Sequence, residues 1–195
     1  MRKYLRLAAL SFVVGLLPAV TRADILEFRA LQGITVDQEI PTHAPTGQGT
    51  GFSLYNTETL ILFTAFTWDG LSDITVAHVH CCSGPAANGP VAVNLAIIDF
   101  PSGTDEIFTD LSLAASYGAG FLAGFGGDVD LAREAVLEGM SGGLAYYNFH
   151  TVDFPSGDIR GNITQVPEPS SLGLLGLALC AAGLLRRRGA GASKA

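Results

Sequence analysis

The chain has 195 residues, of which 48% are hydrophobic and 15% charged, with 24 glycines, 9 prolines and a net charge of −7. Between Asp24 and Val166 stand 17 acidic residues and only three basic ones, Arg29, Arg133 and Arg160, so this stretch carries a charge near −14. A surface of that sign repels phosphate backbones and anionic lipid headgroups, which argues against nucleic acid as a partner and favours cations and basic surfaces.

The N-terminus reads as a signal peptide over residues 1–23. Met1 to Arg6 is basic, Leu7 to Leu17 is apolar, and Thr21-Arg-Ala23 supplies small residues before a cleavage site after Ala23. The apolar run is too short for a spanning helix, which needs about 20 residues.

Residues 24–165 form the folding unit. Strand chemistry recurs at Ile25–Leu31, Gly49–Tyr55, Thr59–Trp68, Ile74–His80, Pro90–Ile98, Gly143–Thr151 and Asp158–Thr164. These stretches are rich in β-branched and aromatic residues and are punctuated by Gly, Pro, Asn and Asp. Thr59–Trp68 is apolar at successive positions, as a central strand would be, and Tyr55 to Glu58 reads as a hairpin turn. One segment breaks the pattern. Asp128 to Glu138 reads as a helix, with acidic residues in its first turn, where the helix dipole favours them. Gly139 and the Gly142-Gly143 pair are expected to end it, and Leu131, Ala135 and Val136 form its apolar stripe. The expected class is mainly β: a two-sheet sandwich with a short helical insertion, flanked by the signal helix and a C-terminal hydrophobic helix.

Residues i and i+2 of a strand share a face. His78 and His80 therefore point to one side, and so do Asn148 and His150. If the two strands are neighbours, three imidazoles converge, a donor set that suits Zn²⁺ or Cu²⁺. Asp158 is a candidate to orient a ligand from behind, and Arg160 to pair with Asp158, Glu39 or another acid. The alternative is that these groups are structural pins, since histidine both donates and accepts. Cys81 and Cys82 are left with three readings: a vicinal disulfide, soft metal ligands beside His80, or free thiols. Oxidised or metal-associated is the expectation outside the cytoplasm. No catalytic residues are identified: the serines lack a nucleophile-elbow context, and Asp105-Glu106 reads as solvated loop charge. The chain is therefore expected not to be an enzyme.

The C-terminus reads Val166-Pro167-Glu168-Pro169, then an apolar run from Leu172 to Leu185, then Arg186-Arg187-Arg188. The run is marginal for a span, and the arginines would hold the tail inside by the positive-inside rule. Residues 166–188 thus read as a weak anchor and 189–195 as a short cytoplasmic tail.

This C-terminal arrangement resembles the PEP-CTERM sorting signal of Gram-negative bacteria. The resemblance implies an exosortase-type partner, cleavage near the Pro-Glu-Pro motif, and passage from an inner-membrane-tethered precursor to the cell surface or extracellular matrix. Within the folding unit, Gln38-Glu-Ile-Pro41 with the Gly-rich Thr46 to Gly51, Ala77-His-Val-His80 with Asn88-Gly-Pro-Val91, Tyr147-Asn-Phe-His-Thr151, and Gly157-Asp-Ile-Arg-Gly161 together resemble the CHRD domain. That resemblance implies an immunoglobulin-like β-sandwich and no established activity. Cys81-Cys82 departs from it, standing where the family often has small residues. The function expected is a non-enzymatic binding or structural role at the surface, with exopolysaccharide or surface proteins as partners. The alternative is a copper- or zinc-binding or redox protein.

Overall fold

A computed structural model describes residues 24–44, 46–71, 73–96 and 101–167. The signal segment, the apolar C-terminal run and the arginine cluster lie outside these residues. No helix among the described residues is long and apolar enough to cross a membrane.

The described residues form ten antiparallel strands: β1 (Ile25–Arg29), β2 (Ile34–Thr35), β3 (Gln48–Asn56), β4 (Ile61–Asp69), β5 (Ile74–His80), β6 (Val91–Leu95), β7 (Gly103–Asp110), β8 (Tyr146–Thr151), β9 (Ile159–Asn162) and β10 (Thr164–Val166). Two helices, α1 (Ala119–Gly124) and α2 (Val129–Ser141), lie between β7 and β8. The mainly-β class expected from sequence is the class observed. Its two layers belong to one open sheet, because hydrogen bonding is continuous through β10-β1-β3-β2-β9-β8-β5-β6, with β4 and β7 extending the sheet from β3.

Side chains from strands that are not hydrogen-bonded neighbours meet in the middle. The Phe66 ring on β4 lies 5.0 Å from both Tyr147 and Phe149 on β8, and Trp68 lies 5.8 Å from Phe149. The sheet is thus folded over so that β3 and β4 face β8. A short polar chain crosses this core: Ser53 Oγ lies 2.7 Å from Thr64 Oγ1 and 2.8 Å from the Tyr147 hydroxyl. Each hydroxyl there has a partner, which removes most of the cost of burying it.

The hairpin between β3 and β4 closes where the turn residues predict. Asn56 Oδ1 accepts the Glu58 and Thr59 amides, each at 2.9 Å, the side-chain turn geometry asparagine favours. β7 was not expected. Its Asp105 and Glu106 sit on a strand rather than in a loop, paired with Phe66 and Ala65. Among the described residues β7 has a neighbour on one side alone, and charged residues on such an edge discourage pairing with another chain.

Helix α2 starts on Asp128, whose carboxylate accepts the Asp130 and Leu131 amides, as an N-cap should. Its buried stripe differs from expectation. Ala132, Val136, Gly139 and Met140 face inward, whereas Leu131 is exposed. The spacing i, i+4, i+7, i+8 is still helical; of the expected stripe, Val136 is buried and Ala135 packs against the core, while Leu131 turns outward. Gly139 does not end the helix, which runs on to Ser141. It sits inside because a Cβ there would collide with Cys81 Sγ and come within 2.9 Å of Cys82 Sγ.

Candidate metal centre

On β5 and β8 the alternation of side chains sends Ala77, Val79, Tyr147 and Phe149 into the core. The residues between them, His78, His80, Tyr146, Asn148 and His150, point to the opposite face. Antiparallel pairing sets His78 across from Asn148, Val76 across from His150, and His80 across from Tyr146. His78 is therefore the diagonal neighbour of His150, and His80 follows one side-chain position further along the same face of β5. Most of this outer face is closed to water, with His78 half-buried. All six residues of β8 are buried, because the chain before β3 and the loops after β5 and β8 lie over it.

Three ring nitrogens converge there. His78 Nδ1 is 3.2 Å from His150 Nε2, and His80 Nε2 is 3.3 Å from the same atom. The remaining ring nitrogens of His80 and His150 are committed elsewhere: His80 Nδ1 lies 2.8 Å from the Gly89 carbonyl and His150 Nδ1 lies 3.0 Å from the Pro155 carbonyl. A carbonyl only accepts, so each of these Nδ1 atoms carries the hydrogen. In the neutral rings both Nε2 atoms then present lone pairs, and these face each other. The rings are held neutral. Burial, then the neighbouring His150 and His80, push His78 down to about 4. Burial, with His150 and Arg160 adding to it against the Gly89 bond, pushes His80 to about 4. Burial also lowers His150, against the bond to Pro155. A proton on His78 Nδ1 can serve His150, but it leaves the His80 lone pair unserved. A cation among the three nitrogens serves all of them. Tetrahedral ligands at about 2.0–2.1 Å from zinc stand about 3.3–3.4 Å apart, close to the two separations seen here. The three ligand atoms all lie within 4.8 Å of one another.

The other expected site residues take different places. Asp158 does not touch a histidine; its carboxylate accepts from the hydroxyls of Thr46 and Thr151. The atoms behind the imidazoles are backbone carbonyls, which no side-chain pattern announces. Arg160 makes no ion pair with Asp158 or Glu39. It is fully buried, and its guanidinium donates to the carbonyls of Gly84, Pro85 and Ala87 and to Asn88 Oδ1. Asn148 donates to Glu39 Oε1 and to the Ile159 carbonyl. Burial raises the Glu39 carboxyl, against the bond from Asn148 and the charge of Arg160. Cys81 and Cys82 are joined to each other in a disulfide. Their sulfurs lie against α2, 3.8 and 3.5 Å from the Ala135 carbonyl oxygen, and do not join the histidines. His43 stacks on Phe154 instead of entering the cluster.

Tyr146 is the residue that sequence reading missed. Its ring stacks on His80 at 5.0 Å and 10°, and the Arg160 guanidinium carbon lies 3.4 Å over it. The signal was present, since Tyr146 continues the alternation backwards from His150 and Asn148. The separated motifs also meet: Asn88 Nδ2 donates to the Ile40 carbonyl, and the side-chain oxygen of Gln38 accepts from the backbone amide and side chain of Asn162. Val166 closes β10 beside β1, and Pro167 is the last described residue. Glu168, Pro169 and Arg186 to Arg188 lie outside the described residues.

A family model for the CHRD domain matches residues 33–163. A second, for the PEP-CTERM protein-sorting motif, matches residues 165–188. No curated protein and no solved structure matches the chain.

Proposed function

The chain belongs to the CHRD family, and we propose that it is a non-enzymatic, surface-delivered protein that holds a zinc or copper ion on His78, His80 and His150. The PEP-CTERM motif is a signal for exosortase and marks the protein for export to the surface of a Gram-negative cell. The final destination, cell surface or extracellular matrix, and the tethered precursor are part of this proposal. The observation that carries the metal reading is the pair of facing lone pairs on His80 and His150, 3.3 Å apart, with the opposite nitrogen of each ring bonded to a carbonyl. The acidic surface adds to it by concentrating cations near the protein.

The test is metal content by elemental mass spectrometry on exported protein purified without a polyhistidine tag. About one zinc or copper per chain is expected from a single three-histidine site. No bound metal, even after incubation with either ion and desalting, would leave the histidines as structural pins.

A second reading, binding to extracellular polysaccharide or surface proteins, has one observation in its favour. Phe63 lies 5.0 Å from the exposed Phe108 and 5.9 Å from Phe52 on the outer side of the other layer. Retention of the protein on the organism's own polysaccharide, lost on Phe108→Ala, would support this reading.

A further inference from the structure

We infer that Arg160 is a positioning residue that fixes the tautomer of His80, acting through the 84–89 loop and Tyr146. The inference deepens the metal reading but has a consequence in the metal-free protein. Arg160 is fully buried and has no carboxylate partner among the described ion pairs. A buried cation is costly unless its donors are satisfied. Here four acceptors from one short loop serve its two terminal nitrogens, the carbonyls of Gly84, Pro85 and Ala87 at 3.2, 3.4 and 3.1 Å and Asn88 Oδ1 at 3.2 Å, while Nε has no hydrogen-bond partner among the described residues. The planar fork of arginine can reach several carbonyls at once and still stack on a ring, which a lysine ammonium cannot reproduce.

The loop held in this way ends at Gly89, the residue that holds His80. Asn88, gripped by Arg160, is tied on its other side to the Ile40 carbonyl at 2.7 Å. The Gly89 amide donates to the Tyr146 hydroxyl at 3.0 Å, and the Tyr146 ring lies under the Arg160 guanidinium. The Gly89 carbonyl then accepts from His80 Nδ1 at 2.8 Å. Gly89 is pressed against the backbone of Cys81, where a Cβ would come within 2.9 Å of the carbonyl oxygen. Arg160 thus reaches the peptide on both sides, through Asn88 before it and through Tyr146 at its amide. The bond made by one imidazole nitrogen sets which nitrogen carries the hydrogen. With Nδ1 occupied, the Nε2 lone pair of His80 is aimed at the position shared with His150.

The experiment is ¹⁵N NMR of the histidine rings at neutral pH in the metal-free, full-length protein, for the native chain, Arg160→Lys and Tyr146→Phe. Native His80 is expected as the Nδ1–H tautomer. Both variants should move His80 toward Nε2–H, while His150, held independently by Pro155, keeps Nδ1–H as an internal control. Zinc affinity should fall in the variants by about 10–100-fold, the usual loss when a ligand's outer partner is removed. Should Arg160→Lys not fold, Tyr146→Phe decides alone, because it keeps the stacked ring and removes only the hydroxyl. Native His80 found as Nε2–H, or His80 unmoved in the folded variants, overturns the inference. A tautomer shift in a protein that binds no zinc sustains the inference and refutes the metal reading.

Discussion

The two faces of β8 are both buried and are held by opposite physics. Tyr147 and Phe149 meet Phe66 and Trp68 across an apolar core, where fit and volume decide stability. Tyr146, Asn148 and His150 meet loops, and there each polar atom needs a named partner: the Gly89 amide for Tyr146, Glu39 for Asn148, Pro155 for His150. Apolar packing is non-directional and tolerates repacking, whereas a polar cluster out of water depends on every bond being made. One strand can therefore carry the stability of the fold on one side and a chemically specific site on the other.

The largest break in this comparison should come from the inner face. Phe66→Ala removes a ring that two others pack against, and a buried Phe→Ala change costs about 3–5 kcal/mol. Urea unfolding should report that loss, while the folded fraction keeps its metal stoichiometry. A loss of metal equal to the loss of stability would mean that the two faces are not separable.

Next in size is pH, which acts on the outer face. His78 and His80 are held at about 4 in the folded chain, against about 6.5 when unfolded. As pH falls below 6.5 the unfolded chain takes up protons that the folded chain refuses. The stability these rings allow is therefore fully present above pH 6.5 and lost on the way down to 4. The slope is at most about 1.4 kcal/mol per pH unit for each histidine, less for the half-buried His78. Urea midpoints of the metal-free protein at pH 7, 6 and 5 should fall, and the fall should flatten in the double variant His78→Ala/His80→Ala.

A smaller pair of effects separates ligand from scaffold. His150→Ala should abolish metal binding. Asp158→Asn should leave the metal in place and lower stability by about 1–3 kcal/mol, because the hydroxyls of Thr46 and Thr151 lose a charged acceptor. Metal loss on Asp158→Asn would restore the role first expected of it from sequence.

These outcomes bear on how far the site could be read in advance. The bounds Ile74–His80 were legible, and so was the convergence of His78, His80 and His150, because both follow from a period of two. The partners of Asp158 and Arg160 were not legible. Their choice depends on how loops close, and backbone carbonyls leave no mark in a sequence. β7 was hidden for a related reason: Asp105 and Glu106 look like loop charge until pairing with β4 makes Gly103–Asp110 an edge strand. The helix was visible, and so were Ala135 and Val136 of its stripe, whereas Leu131 turns outward. The Cys81–Cys82 disulfide lies against Gly139, where a side chain would collide with its sulfurs.

The finest test of the two faces is one change made on each. Tyr147→Phe and Tyr146→Phe both delete a single buried hydroxyl from adjacent residues. On the inner face, Ser53 loses the Tyr147 hydroxyl but keeps Thr64. On the outer face, the Gly89 amide loses its acceptor. A buried hydrogen bond contributes about 0.5–1.5 kcal/mol net, so the two variants should lie close together in urea. They should part in the histidine ring spectrum. Tyr147→Phe should leave His80 as it is, since nothing on its face reaches the imidazoles, and Tyr146→Phe should release it. A shift of His80 in both variants would show that the strand transmits change between its faces, and the separation drawn from its alternating side chains would fail.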